Sequence, residues 1–110
     1  MTKQELKEKA NGLPLSPGVY IMMDVQGTVI YVGKAKKLKN RVSQYFQDNA
    51  GHNEKTRRMV SRVDHFDTII ASSEFEALIL ENALIKQYMP RYNILLKDDK
   101  GYPFVRLTVQ

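Results

Sequence analysis

Glu81 is the residue whose position most needs a chemical explanation. A helix starting at Glu74 turns by about 100° per residue. This turn places Glu81 in the same sector as Ala77, Leu84 and Ile85. A buried carboxylate without a partner costs several kcal/mol, so Glu81 needs a cation. Two kinds of partner remain open: a lysine or arginine from another element, or a metal ion.

A pair of tyrosines is the second candidate for chemistry. Two strand patterns flank the turn-forming residues 24–28 and predict a β-hairpin. Tyr20 and Tyr31 then lie near the same end of the hairpin, although the face that each side chain takes depends on the register. A cross-strand tyrosine pair is often only a stabilising contact. Here Lys34 and further cations follow Tyr31 closely, and we expect this charge to lower the pKa of the Tyr31 phenol.

Positive charge is concentrated in one part of the chain. The whole sequence has a net charge of +5 and a pI near 9.5. Residues 34–62 alone contain nine cations and two acids, a net charge of +7. A solvated helix face normally mixes the two signs, so this segment favours contact with nucleic acid. Beyond Lys34 and Arg41, the candidate phosphate contacts are Lys36, Lys37, Lys39, Arg57, Arg58 and Arg62.

Composition excludes several classes of protein. A chain of 110 residues is the size of one small domain. The absence of cysteine excludes a disulfide scaffold and a cysteine-ligated metal site. No apolar stretch approaches the roughly 18–20 residues that span a bilayer, and the charged N-terminus does not resemble a secretory signal. We therefore expect a cytoplasmic domain without membrane association. His52 and His65 lack a metal-ligand pattern and are expected on the surface.

The predicted elements form an α+β domain with a small, mainly antiparallel three-stranded sheet flanked by helices. Capping boxes begin helices near Thr2 and Ser73. Two basic helices are predicted at residues 37–46 and 54–62, and a third strand at residues 66–71. Pro90 ends the long helix that carries Glu81. An apolar stub at residues 94–96, a turn at 98–101 and a last strand at 104–109 are expected after it.

The motifs together resemble a known family. Gly18-Val19-Tyr20 and Tyr31-Val32-Gly33 resemble the two half-motifs of the GIY-YIG nucleases, with valine in place of isoleucine. Four further segments are similar to the N-terminal domain of the UvrC family of bacterial nucleotide excision repair. They are YVGKAKKL at 31–38, EALILEN at 76–82, PRYN at 90–93 and LKDDKGYPF at 96–104. The resemblance covers roughly residues 13–107.

This resemblance implies a GIY-YIG fold and an endonuclease that cuts on the 3′ side of a DNA lesion. Glu81 would be the sole protein ligand of one divalent cation, Mg²⁺ or Mn²⁺, and a single carboxylate is enough for Mg²⁺. Tyr31 would be the general base, Tyr20 would orient it, and Arg41 would contact the scissile phosphate. The remaining implied site residues are Lys34, which lowers the pKa of Tyr31, Tyr45, which lines the site, and Asn93, which holds the site together.

The resemblance also implies partners and a larger context. The partners are damaged double-stranded DNA and a UvrB–DNA complex, the latter bound through regions that this sequence lacks. Residues 1–110 are expected to be one nuclease domain, a fragment of a longer multidomain protein and a monomer when isolated. Two alternatives remain: a non-catalytic nucleic-acid-binding module on the same fold, and another structure-specific GIY-YIG nuclease.

Overall fold

A three-stranded antiparallel sheet lies at the centre of the computed structural model, which describes residues 1–47 and 51–98. The strands are β1 (Gly18–Met23), β2 (Val29–Ala35) and β3 (His65–Ile70). Their order in the sheet is β2-β1-β3, so β1 is central and β2 and β3 are edge strands. The predicted α+β class with a three-stranded antiparallel sheet is confirmed.

Five helices cover the two faces of this sheet within the described ranges. They are α1 (Lys3–Asn11), α2 (Leu38–Tyr45), α3 (Glu54–Arg62), α4 (Glu74–Tyr88) and α5 (Arg91–Asp98). Thr2 begins α1 with the predicted capping box. The Ser73 side chain accepts from the Glu76 N–H at the start of α4, while the Glu76 carboxylate reaches back to the N–H of Ser72 rather than of Ser73.

The loop between β1 and β2 explains why the hairpin forms where it does. The Asp24 carboxylate accepts hydrogen bonds from the N–H groups of Gln26 and Thr28, at 2.9 and 3.0 Å. Gly27 has a φ of 84°, a left-handed conformation that glycine adopts without steric cost. The predicted hairpin loop at residues 24–28 is confirmed.

The register of the hairpin decides which side chains share a face. Tyr20 lies opposite Gly33, and Met22 lies opposite Tyr31. Because side chains alternate along a strand, this pairing places Tyr20 and Tyr31 on the same face of the sheet. The register shifts between Met22 and Met23, so Ile30 is an extra residue in β2 directly before Tyr31.

Each face of the sheet has its own apolar cluster. The larger cluster lies under α1, α2 and α3, and includes Tyr20, Leu38, Phe46, Met59 and Phe66. The smaller cluster lies under α4 and contains the buried residues Val19, Val32, Ala71 and Ala77. The two tyrosines of the hairpin therefore face α2, while α4 covers the opposite face.

The helix α5 differs from the predicted apolar stub. Met89 takes a left-handed φ of 46° at the end of α4, which turns the chain. Pro90 is buried, and its carbonyl accepts from the N–H of Asn93 at 3.1 Å. Proline ends one helix but also favours the first turn of the next, where its missing N–H is not needed. The predicted strand at 104–109 and the part of the predicted turn after Asp98 lie outside the described residues.

None of the helices in residues 1–47 and 51–98 has the length and apolar character needed to cross a bilayer.

Candidate active site

Three tyrosines form one cluster between β1, β2 and α2. Tyr20 and Tyr45 share a hydrogen bond of 2.8 Å between their hydroxyl oxygens. The ring centroid of Tyr31 lies 6.1 Å from that of Tyr20 and 6.5 Å from that of Tyr45. Tyr20 is buried, whereas Tyr31 and Tyr45 are half-buried at the edge of the larger cluster. The site therefore presents two phenols towards solvent and holds the third behind them.

Gly33 makes room for the Tyr20 ring. A Cβ atom at residue 33 would lie 2.4 Å from both Cζ and the hydroxyl oxygen of Tyr20. Carbon atoms in van der Waals contact are about 3.5–4.0 Å apart, so the phenol occupies the space of the missing side chain. The absence of a side chain at Gly33, in the second half-motif, therefore leaves the space that Tyr20, in the first half-motif, occupies.

Burial raises the pKa of Tyr31, with further raising effects from Tyr45 and from the charge of Glu81. Burial also raises the pKa of Tyr20 well above its usual value, and the neighbouring Tyr45 raises it further. The positive charge of Arg41 acts in the opposite direction but is a smaller effect. The expectation that Lys34 lowers the pKa of Tyr31 is wrong, because this pKa is raised. Loss of hydration is the largest cause of the raised pKa of Tyr31, a hydrogen bond with Tyr20 opposes it, and Lys34 is not among the causes.

Glu81 lies on α4 where that helix meets β2. Its Oε2 atom accepts a hydrogen bond of 3.0 Å from the backbone N–H of Lys34. The residue is half-buried rather than buried, because it sits at the rim of the contact between α4 and the sheet. Across residues 1–47 and 51–98, no lysine or arginine forms an ion pair with Glu81, and no hydrogen bond reaches its Oε1. The backbone thus orients one oxygen and leaves the other available.

Asn93 joins α5 to the edge strand β2. Its side-chain oxygen accepts from the N–H of Val32, and its side-chain nitrogen donates to the carbonyl of Val32, both at 2.8 Å. Asn93 is 7% exposed, so these bonds satisfy backbone groups that would otherwise be buried without partners. The amide holds β2 at the residue between Tyr31 and Gly33.

The cationic candidates take different positions around the tyrosines. Arg41 is exposed and lies one turn before Tyr45 on α2, close enough for its charge to act on Tyr20. The Lys34 side chain is exposed at the end of β2. Lys36 and Lys37 lie between β2 and α2, Lys39 lies on α2, and Arg57, Arg58 and Arg62 lie on α3. Arg58 forms an exposed ion pair of 2.7 Å with Glu54.

His52 adjoins the site, although the sequence places it on the surface. Its ring stacks on Tyr45 with centroids 5.7 Å apart and an angle of 28° between the planes. His52 is half-buried, as is His65, which bonds to the Asp64 carboxylate at 2.8 Å. Asn53 caps the start of α3, but the sequence carries no local signal that places the His52 ring on Tyr45.

A metal ion at this site would depend on one carboxylate. No group of three or more histidine, aspartate or glutamate side chains that could hold a metal occurs among residues 1–47 and 51–98. Mg²⁺ often binds through one or two carboxylates, together with waters and substrate phosphate. Glu81 fits that mode, because its Oε2 is fixed by the Lys34 N–H and its Oε1 accepts no bond from any described residue.

The family model and the sequence relatives that match this chain agree with one another. A family model described as a UvrC-like GIY-YIG domain matches residues 16–94. The protein named UvrABC system protein C from Clostridium tetani is 62% identical over 97 residues, which are 88% of this chain and 16% of that protein. Its namesake from Caldanaerobacter subterraneus is 54% identical over 105 residues, which are 96% of this chain and 17% of that protein. The chain therefore spans about a sixth of the length of these curated relatives.

A solved structure agrees with the sequence matches. The GIY-YIG N-terminal endonuclease domain of UvrC from Thermotoga maritima, bound to magnesium as its catalytic divalent cation, is 41% identical to this chain. The superposition covers 83% of this chain and 98% of that one, with a TM-score of 0.73. The resemblance predicted from the two half-motifs is confirmed.

Proposed function

The chain belongs to the family of UvrC-like GIY-YIG domains, and we propose that it is a metal-dependent DNA endonuclease domain. It makes the 3′-side incision beside a lesion in nucleotide excision repair. One observation carries this proposal: Glu81 is tied to the Lys34 backbone and acts electrostatically on the phenol of Tyr31. A carboxylate with one oxygen that no described residue bonds, beside a half-buried phenol, suits metal-assisted hydrolysis of a phosphodiester.

Glu81 would hold the cation through its free oxygen. A divalent cation there, Mg²⁺ or Mn²⁺, would relieve charge on the phosphate oxygens and would favour the phenolate of Tyr31 by positive charge. Without such charge, burial keeps the proton on Tyr31. In the proposed reaction Tyr31 accepts the proton of the attacking water, and the bonded pair of Tyr20 and Tyr45 holds the Tyr31 ring in place.

Other residues would position the DNA strand. The guanidinium of Arg41 is exposed beside the tyrosines and has the fork geometry that suits a phosphate. The Lys34 side chain and the further cations Lys36, Lys37, Lys39, Arg57, Arg58 and Arg62 would contact the DNA backbone. Such contacts position DNA without reading its sequence, which suits an enzyme that cuts relative to damage. Asn93 supports the site by holding β2.

The wider assignment is also a proposal. The relatives are named as components of a UvrABC system, so we propose damaged double-stranded DNA and a UvrB–DNA complex as partners. Because the chain matches only 16–17% of those relatives, we also propose that residues 1–110 are one nuclease module of a longer cytoplasmic protein. The isolated module would be a monomer.

The test is incision of a lesion-containing duplex already loaded with UvrB, using the module within the full-length protein. Glu81→Gln and Tyr31→Phe should each abolish the 3′ cut with Mg²⁺ or Mn²⁺ and leave DNA binding nearly unchanged. Glu74→Gln removes an exposed carboxylate from the first turn of the same helix and is the matched control. It should leave the cut intact.

Three outcomes would contradict the proposal. Normal 3′ cutting by Glu81→Gln would remove the metal assignment, and normal cutting by Tyr31→Phe would remove the general base. DNA binding by the wild-type protein without any metal-dependent cut would favour a non-catalytic binding module on the same fold.

A further inference from the structure

A groove of about 500 Å³ opens between α1, α2 and α3, and it shares only Tyr45 and Arg57 with the residues that the proposed function uses. The residues that matter for its chemistry are Leu6, Tyr45, Phe46, His52, Arg57 and Ser61. Pockets for small organic ligands range from about 300 to 1,000 Å³. The groove is therefore large enough for one nucleotide.

The floor and one wall of the groove suit a flat, apolar ring. Leu6 is 4% exposed and Phe46 is 1% exposed, so the floor is made of core side chains. The stacked rings of Tyr45 and His52, 5.7 Å apart, form an aromatic wall. Bases of single-stranded nucleic acid bind by stacking on such side chains, with little dependence on sequence.

The rim of the groove suits an anion. Arg57 is exposed on α3, lines the groove and has no ion-pair partner within residues 1–47 and 51–98. The nearby Glu54 is engaged by Arg58 at 2.7 Å, so this carboxylate is already paired. A planar ring with a phosphate attached would satisfy the wall and the rim together.

Tyr45 connects the groove to the proposed active site. Its hydroxyl bonds to Tyr20 at 2.8 Å, its ring lies 6.5 Å from that of Tyr31, and the same residue lines the groove. Tyr45 is therefore shared by the groove and by the tyrosine cluster that would hold the DNA strand. We propose that the groove binds an unstacked nucleotide of the DNA strand, with its base against Tyr45 and His52 and its phosphate at Arg57. This inference rests on the proposed function and names how that site holds its substrate.

The experiment is an NMR titration of the isotope-labelled 110-residue chain without metal, since binding in the groove does not require the cation. The probes are a single-stranded thymidine trinucleotide and, separately, inorganic phosphate. The methyl signals of Leu6 and Val60, which line the groove, should shift with the trinucleotide and should not shift with phosphate alone.

Two pairs of variants give the matched controls. Arg57→Ala should raise the Kd for the trinucleotide at least about fivefold, the loss expected for one stacked or phosphate-bound nucleotide. Lys86→Ala removes the same charge from α4, outside the groove, and should change the Kd by less than about twofold at physiological salt. Ser61→Trp fills the groove and should weaken binding as Arg57→Ala does, whereas Gln87→Trp on α4 should not.

Three results would overturn the inference: methyl signals that do not move, methyl signals that move equally with phosphate alone, or equal effects of Arg57→Ala and Lys86→Ala. If Ser61→Trp does not fold, the comparison of Arg57→Ala with Lys86→Ala still decides. Failure of the proposed nuclease function would appear separately, as loss of the metal-dependent cut while the metal-free titration still succeeds.

Discussion

Replacing Gly33 by alanine tests how the two half-motifs fit each other. The new Cβ would lie 2.4 Å from two atoms of the Tyr20 ring and 2.9 Å from a third. Restoring a normal contact requires a shift of about 1 Å. Tyr20 is only 2% exposed, so its ring cannot move into solvent. The shift must therefore disturb either the core or the hydrogen bond to Tyr45.

The expected cost follows from these two effects. Overpacking a core costs about 1–3 kcal/mol, and loss of a hydrogen bond costs about 0.5–1.5 kcal/mol. Gly33→Ala should therefore lower the free energy of unfolding by about 2–4 kcal/mol. Urea unfolding followed by far-UV circular dichroism measures this change. Gly51→Ala is the control, because a Cβ at residue 51 would meet no atom within 4 Å.

A double-mutant cycle shows whether the hydrogen bond is part of the cost. Tyr45→Phe removes the bond but keeps the Tyr20 hydroxyl that the new Cβ would meet. It should destabilise the wild-type chain by about 0.5–1.5 kcal/mol and the Gly33→Ala chain by less, since the bond to Tyr20 is already lost there. A Gly33→Ala chain as stable as the wild type, within about 0.5 kcal/mol, would refute the close packing of the two motifs.

Three further predictions concern stability and DNA affinity. Asn93→Ala should lower the free energy of unfolding by about 2–4 kcal/mol, because it leaves two backbone groups of Val32 without partners; exposed Asn82→Ala should have little effect in the same urea experiment. Burial raises the pKa values of Tyr20 and Tyr31 above those in the unfolded chain, so stability should be constant below about pH 9 and fall as the pH rises above about 10. Urea midpoints from pH 8 to 11 check this fall, and a decline as steep in Tyr31→Phe as in the wild type would contradict it. If about five cations contact phosphates, a plot of log affinity against log salt should have a slope of about −4 to −5, and an affinity that does not change with salt would exclude these contacts.

Local sequence signals predicted the turns and helix caps better than the register and packing of the strands and helices. The hairpin loop and the cap at Thr2 depend on neighbouring residues, so Gln26 and Gly27 were sufficient to predict a turn at residues 24–28. The side-chain face of Tyr31 was not predictable, because it depends on the register and on the extra residue Ile30.

The candidate site likewise has some features that the sequence predicts and others that depend on how the helices and strands pack. The helical position of Glu81 predicted a side chain that faces the sheet, and the half-motifs predicted the two tyrosines beside it. The raised pKa of Tyr31 was missed, because burial depends on how α2 packs over the hairpin. The stacking of His52 on Tyr45 was missed for the same reason. The sequence does not predict the helix α5, because a proline such as Pro90 is compatible both with the end of one helix and with the start of the next.

The pairing of Asn93 with Val32 also affects how copies of the chain can meet. An edge strand with free N–H and C=O groups is a template on which another chain can add a strand, and such addition leads to aggregation. At Val32 both outward-facing groups are already bonded to a side chain of the same molecule. The amide takes the place that a foreign strand would occupy, so intermolecular β-pairing along β2 is blocked at its middle.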